Sequence, residues 1–302
     1  MSLVQPVENA ATMYASNTRE THKKALARQI DRPGGRFVLG KLATWYARRI
    51  TGADIEISYL DGLWTHRAGQ YFFPDGRNFN YISGEFSGWK HQIDQYVSDT
   101  KEYWLRHYTP KDGHVIVDVG AGRGEDTLTF SRGVGETGRV IAVEAHPLLF
   151  QVLKNFCRLN RLRNVTPLHL ALMDKPGKVP LVESESWMEN SVQYGAPSGI
   201  EVPADTLDAV CRQEGLSEIA FVKMNIEGAE RHALVGMAST VPKIGQVCIA
   251  CHDFRYEQGD GEEFRTREFV ERVLTKHGFT LTSRPDDPRA YVRDHVFGLR
   301  KT

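Results

Sequence analysis

From residue 114 onward, short apolar runs alternate with segments of helical periodicity, and this alternation constrains the fold more than any other feature. His114–Val119, Arg139–Glu144, Val165–Leu172, Ile219–Met224 and Gln246–Cys251 read as strands. Residues 124–132, 147–160, 206–214, 229–235 and 264–277 read as helices. In the second of these, Leu149, Val152, Leu153 and Phe156 share a face, and Pro147 occupies a tolerated first-turn position. Apolar strands separated by helices predict a parallel sheet covered on both faces, a doubly wound α/β fold. Phe279–Ser283 and Tyr291–Leu299 have no helical pattern between them and predict an antiparallel C-terminal hairpin at the sheet edge.

The first 110 residues follow a different pattern. Residues 18–30 and 36–50 read as helices separated by Pro33-Gly34-Gly35. Residues 55–80 read as a small β layer with turns at Asp61-Gly62 and Pro74-Asp75-Gly76, and 89–107 as a helix stopped by Pro110-Lys111-Asp112-Gly113. The expected division is an N-terminal α+β extension over 1–110, capping the acceptor side, and a ligand-binding domain over 111–302. Tyr71, Phe72, Phe73, Phe79, Tyr81, Phe86 and Trp89 crowd the extension; they either stack on an acceptor or fill the core of the β layer.

Within the alternating region, Asp118-Val119-Gly120-Ala121-Gly122-Arg123-Gly124 follows a strand and opens a helix, where doubly wound folds bind nucleotide-like ligands. A dinucleotide fingerprint places its third glycine where Glu125 stands. Glu125 and Asp126 at the helix start would oppose a pyrophosphate, which normally sits at that positive end. A phosphate-free adenosine carrying positive charge fits better, and S-adenosylmethionine (SAM), with its sulfonium and ammonium, is such a ligand. Asp118, Gly120, Ala121, Gly122 and Gly124 are the expected first contacts, with Asp118 holding a water or the ammonium group. Glu144 ends the second strand 20 residues after Gly124 and is placed to accept both ribose hydroxyls, with Ala145 beside it. Ala171 and Leu172, ending the third strand, are expected to flank adenine.

Composition limits the alternatives. The 38 basic and 38 acidic residues balance, so no global field recruits nucleic acid or an anionic membrane. The balance is not local: residues 1–50 hold nine Lys/Arg against three carboxylates. Those basic helices present a solvated face, receive an anionic acceptor or mediate self-association. The four cysteines show no paired framework. Cys248 and Cys251 lie three apart on a strand and so face opposite ways, which suits buried thiols rather than one metal. No apolar stretch approaches the roughly 18 residues of a membrane span. No secretory pattern opens the chain, and the expected location is the cytoplasm.

The chain resembles the FkbM-type family of SAM-dependent methyltransferases. The matching pieces are Val117 to Gly124, Ile141 to Pro147, Asn155 to Asn160, Ala171-Leu172-Met173-Asp174, Thr206-Leu207-Asp208 and Val222-Lys223-Met224-Asn225-Ile226-Glu227-Gly228-Ala229-Glu230. The run ending in Glu227-Gly228-Ala229-Glu230 is the most specific. The resemblance implies a Rossmann-like sheet of seven strands and O-methylation of a sugar, polyketide or other small-molecule or glycan hydroxyl. It departs at Asn225, where the family usually carries Asp; an amide keeps hydrogen-bonding capacity but cannot act as a carboxylate base.

An alcohol acceptor must lose a proton, and a base for it is expected at the ends of strands four and five. Asn225, Glu227, His252 and Asp253 lie there. His252 is preferred because an imidazole is half-neutral near working pH, the alternative being a strand-capping role. Glu227 is the other base candidate, or else locks the loop; Glu230 is expected to be structural. A divalent metal on Glu227, His252 and Asp253 is conceivable but not favoured, for no ligand spacing supports it. Trp187, Met188 and Asn190 are lid candidates. The competing functions are a non-catalytic SAM- or nucleotide-binding module and a nicotinamide-dependent oxidoreductase.

Overall fold

The protein is described here from a computed structural model. It covers residues 29–79, 86–182, 191–192 and 199–300. The helix read over 18–30, Tyr81 and the lid candidates Trp187, Met188 and Asn190 lie wholly or largely outside the described residues. Contacts divide the chain into two compact units, Met1–Gln92 and Ile93–Thr302.

In the first unit, helix α1 (Arg36–Thr51) begins after the Pro33-Gly34-Gly35 break and ends on Gly52, whose φ of 64° is the left-handed conformation that suits glycine. It packs on an antiparallel meander of β1 (Ile55–Leu60), β2 (Leu63–Ala68) and β3 (Tyr71–Gly76). The Asp61-Gly62 turn, with both φ values positive, is the two-residue hairpin that the sequence signals. Ile55, Ile57, Trp64 and Phe79 form the core with Leu39 and Ala47 of the helix. Phe73, Phe79 and Phe86 are buried, so these rings fill the core of their own unit.

The second unit opens with α2 (Gln92–Tyr103), shorter than the helix read over 89–107. The residues just after it explain why the division falls before it: Trp104 and Tyr108 pack with Ile116, Phe130 and Phe221. The strands are β4 (Val115–Val119), β5 (Arg139–Glu144), β6 (Val165–His169), β11 (Ile219–Met224), β12 (Ile244–Ala250), β13 (Phe279–Thr282) and β14 (His295–Arg300). They make one seven-stranded sheet ordered β13-β14-β12-β11-β4-β5-β6. Only β14 runs against its neighbours β12 and β13. The antiparallel element is therefore inserted inside the sheet, with β13 at the edge. Tyr291 to Arg293, read as the start of the last strand, lie instead in a helical turn over Ala290–Arg293.

Side chains alternate across the sheet with the strand period. Val117, Val119, Val222, Met224, Val247 and Ile249 enter one core layer; Ile116, Phe221 and Cys248 enter the other. Cys248 and Cys251 fall into opposite layers, and all four cysteines are buried free thiols. Helices α3 (Glu125–Gly133) and α4 (Pro147–Leu159) follow β4 and β5, and α5 (Leu207–Gln213) and α6 (Glu230–Val235) flank β11.

The segment read as one strand over 165–172 is broken at Leu170. Its end becomes β7 (Ala171–Leu172), which leaves the main sheet to pair with β10 (Ile200–Asp205). With β8 (Gly177–Val182) and β9 (Ser191–Val192) these strands form a second sheet ordered β7-β10-β8-β9.

Candidate active site

Strand order reverses on either side of β4, since β5 and β11 flank it and continue in opposite directions. At such a switch point the following loops diverge and leave a crevice at the C-terminal strand ends. A cleft of about 390 Å³ occupies this position. Gly120, Ala121, Gly122, Glu144, Ala145, Ala171, Leu172, Asn225, Glu227 and His252 all line it, so the structure brings together ten of the twelve expected site residues.

Asp118 and Gly124 are the exceptions. Asp118 is fully buried beneath the turn. Its Oδ2 accepts from Thr127 Oγ1 at 2.6 Å, and its Oδ1 lies 3.0 Å from Lys223 Nζ. Where the sequence placed Asp118 against the ligand, the structure places its side chain off the cleft wall, paired with a buried lysine. Gly124 is a packing position, because a Cβ there would stand 2.8 Å from Phe156 Cδ1. Gly120 too is required by packing, for a Cβ would overlap the Asn225 carbonyl oxygen. Gly122 alone of the three has open space at a Cβ position, where nothing lies closer than Glu125 Oε2 at 4.0 Å.

Glu144 is held by the main chain. Gly122 N–H donates to its Oε2 and His146 N–H to its Oε1, each at 2.8 Å. Burial pushes its pKa up to about 7 despite these donors. The imidazole of His146 in turn caps α4, its Nδ1 accepting from Leu148 N–H at 3.2 Å and Leu149 N–H at 3.4 Å. Glu125 and Asp126 also line the cleft, and burial raises the pKa of both. Each oxygen of Glu144 retains a lone pair for a ribose hydroxyl, and Glu125 presents a carboxylate to a ligand cation. These acceptors fit SAM and oppose a diphosphate.

Lys223, on β11, was not singled out in the sequence as a site residue. It is almost completely buried; its Nζ donates to the Gly120 carbonyl at 2.7 Å and also faces Asp118 and Asp126, the latter at 3.6 Å. Burial works against its charge, but these carboxylates hold the ammonium protonated. The register that sets Lys223 opposite Asp118 places both on one face of the sheet. A lysine inside the apolar run Ile219–Met224 was the available signal, because a buried charge requires a partner.

The reading of His252 also changes. It stands at the end of β12, with Nε2 3.0 Å from Glu227 Oε1 and Nδ1 2.9 Å from Glu230 Oε1. Burial opposes a charge there, but the two carboxylates prevail and push the pKa up to about 10. The half-neutral imidazole expected from its ordinary pKa is instead an imidazolium with both nitrogens engaged, which cannot take up a proton. Glu227, in a left-handed backbone conformation at φ 51°, also accepts from Arg255 Nη1 at 3.1 Å. Burial disfavours its charge, yet His252 and Arg255 hold it below the usual carboxylate range. Asp253 does not line the cleft: its Oδ2 accepts from the N–H groups of Thr266 and Arg267, at 3.0 and 2.9 Å, capping helix α8 (Arg267–Lys276; α7 is Asp253–Glu257). No group of three or more potential metal ligands is found among the described residues.

A second histidine, missed in the sequence, faces the same cleft. β14 runs antiparallel to β12, so its first residue, His295, pairs with Ala250 at the site edge. His295 is buried, stacks on Trp104 at 4.6 Å between ring centres, and has an Nδ1 with no hydrogen-bond partner among the described residues. Burial, aided by the positive charges of His252, Arg284 and Lys223, outweighs a hydrogen bond to the Tyr103 main chain and pushes its pKa down to about 3, so the ring is neutral. Tyr103, Trp104, Phe254 and Tyr291 complete this end of the cleft. No single-sequence signal marks His295, because its place depends on where β14 inserts.

A doubly wound sheet with β14 reversed inside it, and a cleft beside a glycine turn at its switch point, define a Rossmann-like methyltransferase fold. Residues 118–281 match the Methyltransferase FkbM domain, and the chain belongs to that family. No curated protein matches the chain. Among solved structures, a SAM-dependent methyltransferase from Aquifex aeolicus is 16% identical over 70% of this chain and 90% of its own, with a TM-score of 0.38. Fibrillarin from Aeropyrum pernix, with natively bound SAM, is 13% identical over 82% and 98%, at 0.39. An O-methyltransferase from Bacillus cereus in complex with SAH is 12% identical over 70% and 80%, at 0.41. At these levels the family match, and not these structures, identifies the chain. Among the described residues no helix is long and apolar enough to cross a membrane.

Proposed function

We propose that this methyltransferase acts on a hydroxyl of a small-molecule or glycan acceptor, and that His295 accepts the hydroxyl proton. The observation that carries the reading is the neutral, buried ring of His295, with an unpartnered Nδ1, in the same cleft as Gly122 and Glu144. SAM supplies a methyl group on a sulfonium, already a good leaving group. The protein's work is alignment, exclusion of water and removal of one proton.

Glu144 holds the ribose hydroxyls, Ala171 and Leu172 flank the adenine, and Glu125 takes over the ammonium role first given to Asp118. Gly122 lets the main chain approach the ligand. Asn225 lines the cleft between donor and acceptor ends and positions either through its amide. The aromatic side chains at the acceptor end suit a sugar face or a planar ring. As the oxygen gains its methyl group its proton becomes strongly acidic, so a weak base suffices if its lone pair is within reach. His252, held between Glu227 and Glu230, is a positioning group.

The test uses a metabolite extract incubated with protein and SAM carrying an isotopically labelled methyl group, followed by mass spectrometry. A mass-shifted methyl ether is expected. His295→Ala is expected to lower turnover by about 10²-fold or more with SAM affinity unchanged. Full turnover in His295→Ala would overturn the base assignment, and a label found on nitrogen or carbon would overturn O-methylation.

A further inference from the structure

Apolar surface is distributed unevenly over this protein. Of the nine large apolar side chains exposed among the described residues, six lie on α1. Val38, Leu42 and Trp45 recur at the i, i+4, i+7 spacing of one helical stripe and are 52%, 60% and 63% exposed. Phe37, 72% exposed, stands beside them. Lys41 and Arg49 lie on the same outward side, and Arg49 continues the stripe one turn beyond Trp45. The opposite side of α1, through Leu39, Gly40 and Ala47, is fixed on the β1–β3 meander; a Cβ on Gly40 would stand 2.8 Å from the Ile57 carbonyl oxygen. The outward face is thus preformed, and docking carries no cost of folding a helix.

We infer that the outward face of α1 docks on an anionic phospholipid surface. The 16 residues of α1 include no Asp or Glu, and the outward face carries Lys41 and Arg49, while Arg36 and Arg48 are paired with Asp31 and Asp54; the face is basic as well as apolar. A basic helix with Trp, Phe and Leu exposed has the composition of one that lies flat in the headgroup layer, apolar side chains inserted and charges at the phosphates. Charge disfavours the other occupants. Two copies of this face, apposed about a twofold axis, would bring four like charges, Lys41 and Arg49 of each, together. Residues 1–28 carry Arg19, Lys23, Lys24 and Arg28 against Glu8 and Glu20, the same sign again. The overall charge balance of the chain is no obstacle, because within about 10 Å of a membrane the local face sets the attraction.

The test is sedimentation of the full chain with vesicles of phosphatidylcholine alone and of phosphatidylcholine with phosphatidylserine. Binding to the anionic vesicles only is expected, weakened by about 0.5 M salt. Each basic side chain near the surface contributes roughly fivefold, so Lys41→Gln with Arg49→Gln is expected to weaken binding about 25-fold. Val38→Ser with Leu42→Ser is expected to abolish it, and SAM affinity by calorimetry is unchanged in both variants. Equal binding to neutral vesicles, no binding to either, or binding insensitive to both variants overturns the inference. So does a concentration-dependent dimer dissolved by Val38→Ser with Leu42→Ser, or polyglutamate bound as tightly as the anionic vesicles.

Discussion

A lysine in the middle of an apolar strand is tolerable only if its charge is matched on the spot, and Lys223 meets three acceptors within one strand spacing. Asp118 on the neighbouring strand, Asp126 on the next helix and the Gly120 carbonyl surround it. The ion pair therefore fixes strand end, glycine turn and helix start to one another. Removing one member of a buried pair strands the other and costs about 3–5 kcal/mol. Lys223→Met is expected to lower the melting temperature by on the order of 10 °C. Adding Asp118→Asn to it should restore part of the loss; additive losses in a double-mutant cycle would show the pair to be uncoupled. His252 gives the pH counterpart. Its pKa rises from 6.5 to about 10 on folding, so its contribution is complete below 6.5 and fades as pH climbs to 10. Glu227, lowered from 4.5, contributes above that value and fades as acid protonates it. The melting-temperature gap between wild type and His252→Gln is therefore expected to be widest between pH 4.5 and 6.5 and to shrink towards pH 10. A gap that widens with alkali would contradict the imidazolium.

At the scale of elements, the turn between β4 and α3 gives its three glycines different tasks. Gly120→Ala drives a methyl group into the Asn225 main chain and is expected to destabilise most. Gly124→Ala meets the edge of the Phe156 ring, which can give way, and is milder. Gly122→Ala projects into the cleft, meets no neighbour and costs only the strain of its left-handed φ of 56°, so it is expected to weaken SAM binding and to lower the melting temperature least of the three. Thermal melts and calorimetry on the three variants check the order; equal destabilisation would refute it. The elements also show which information the sequence carried. The strands β4, β5, β11 and β12 were legible because both faces are buried and their apolar runs are unbroken. Glu144 was legible because it ends such a strand at a fixed distance from the glycine turn. β7 was not, since a strand that leaves one sheet for another at Leu170 keeps the same apolar pattern through the switch. Nor was the charge state of His252, set by Glu230 22 residues away in sequence.

At the scale of the whole molecule, family membership and sheet order establish a methyltransferase domain, while the acceptor end rests on the aromatic and imidazole side chains around His295. The central claim is that Glu144 grips the ribose of a phosphate-free, cationic adenosine in the crevice beside β4. Glu144 is raised to about 7 in the free protein, whereas ribose hydroxyls donate best to the ionised carboxylate. Calorimetry of SAM binding across pH is therefore the direct test. Affinity is predicted to rise as pH approaches about 7 and then level off, with a proton released on binding at lower pH. Glu144→Gln is predicted to bind roughly tenfold or more weakly, with that pH dependence gone. Wild-type affinity in Glu144→Gln, or displacement of SAM by NAD, would contradict the account.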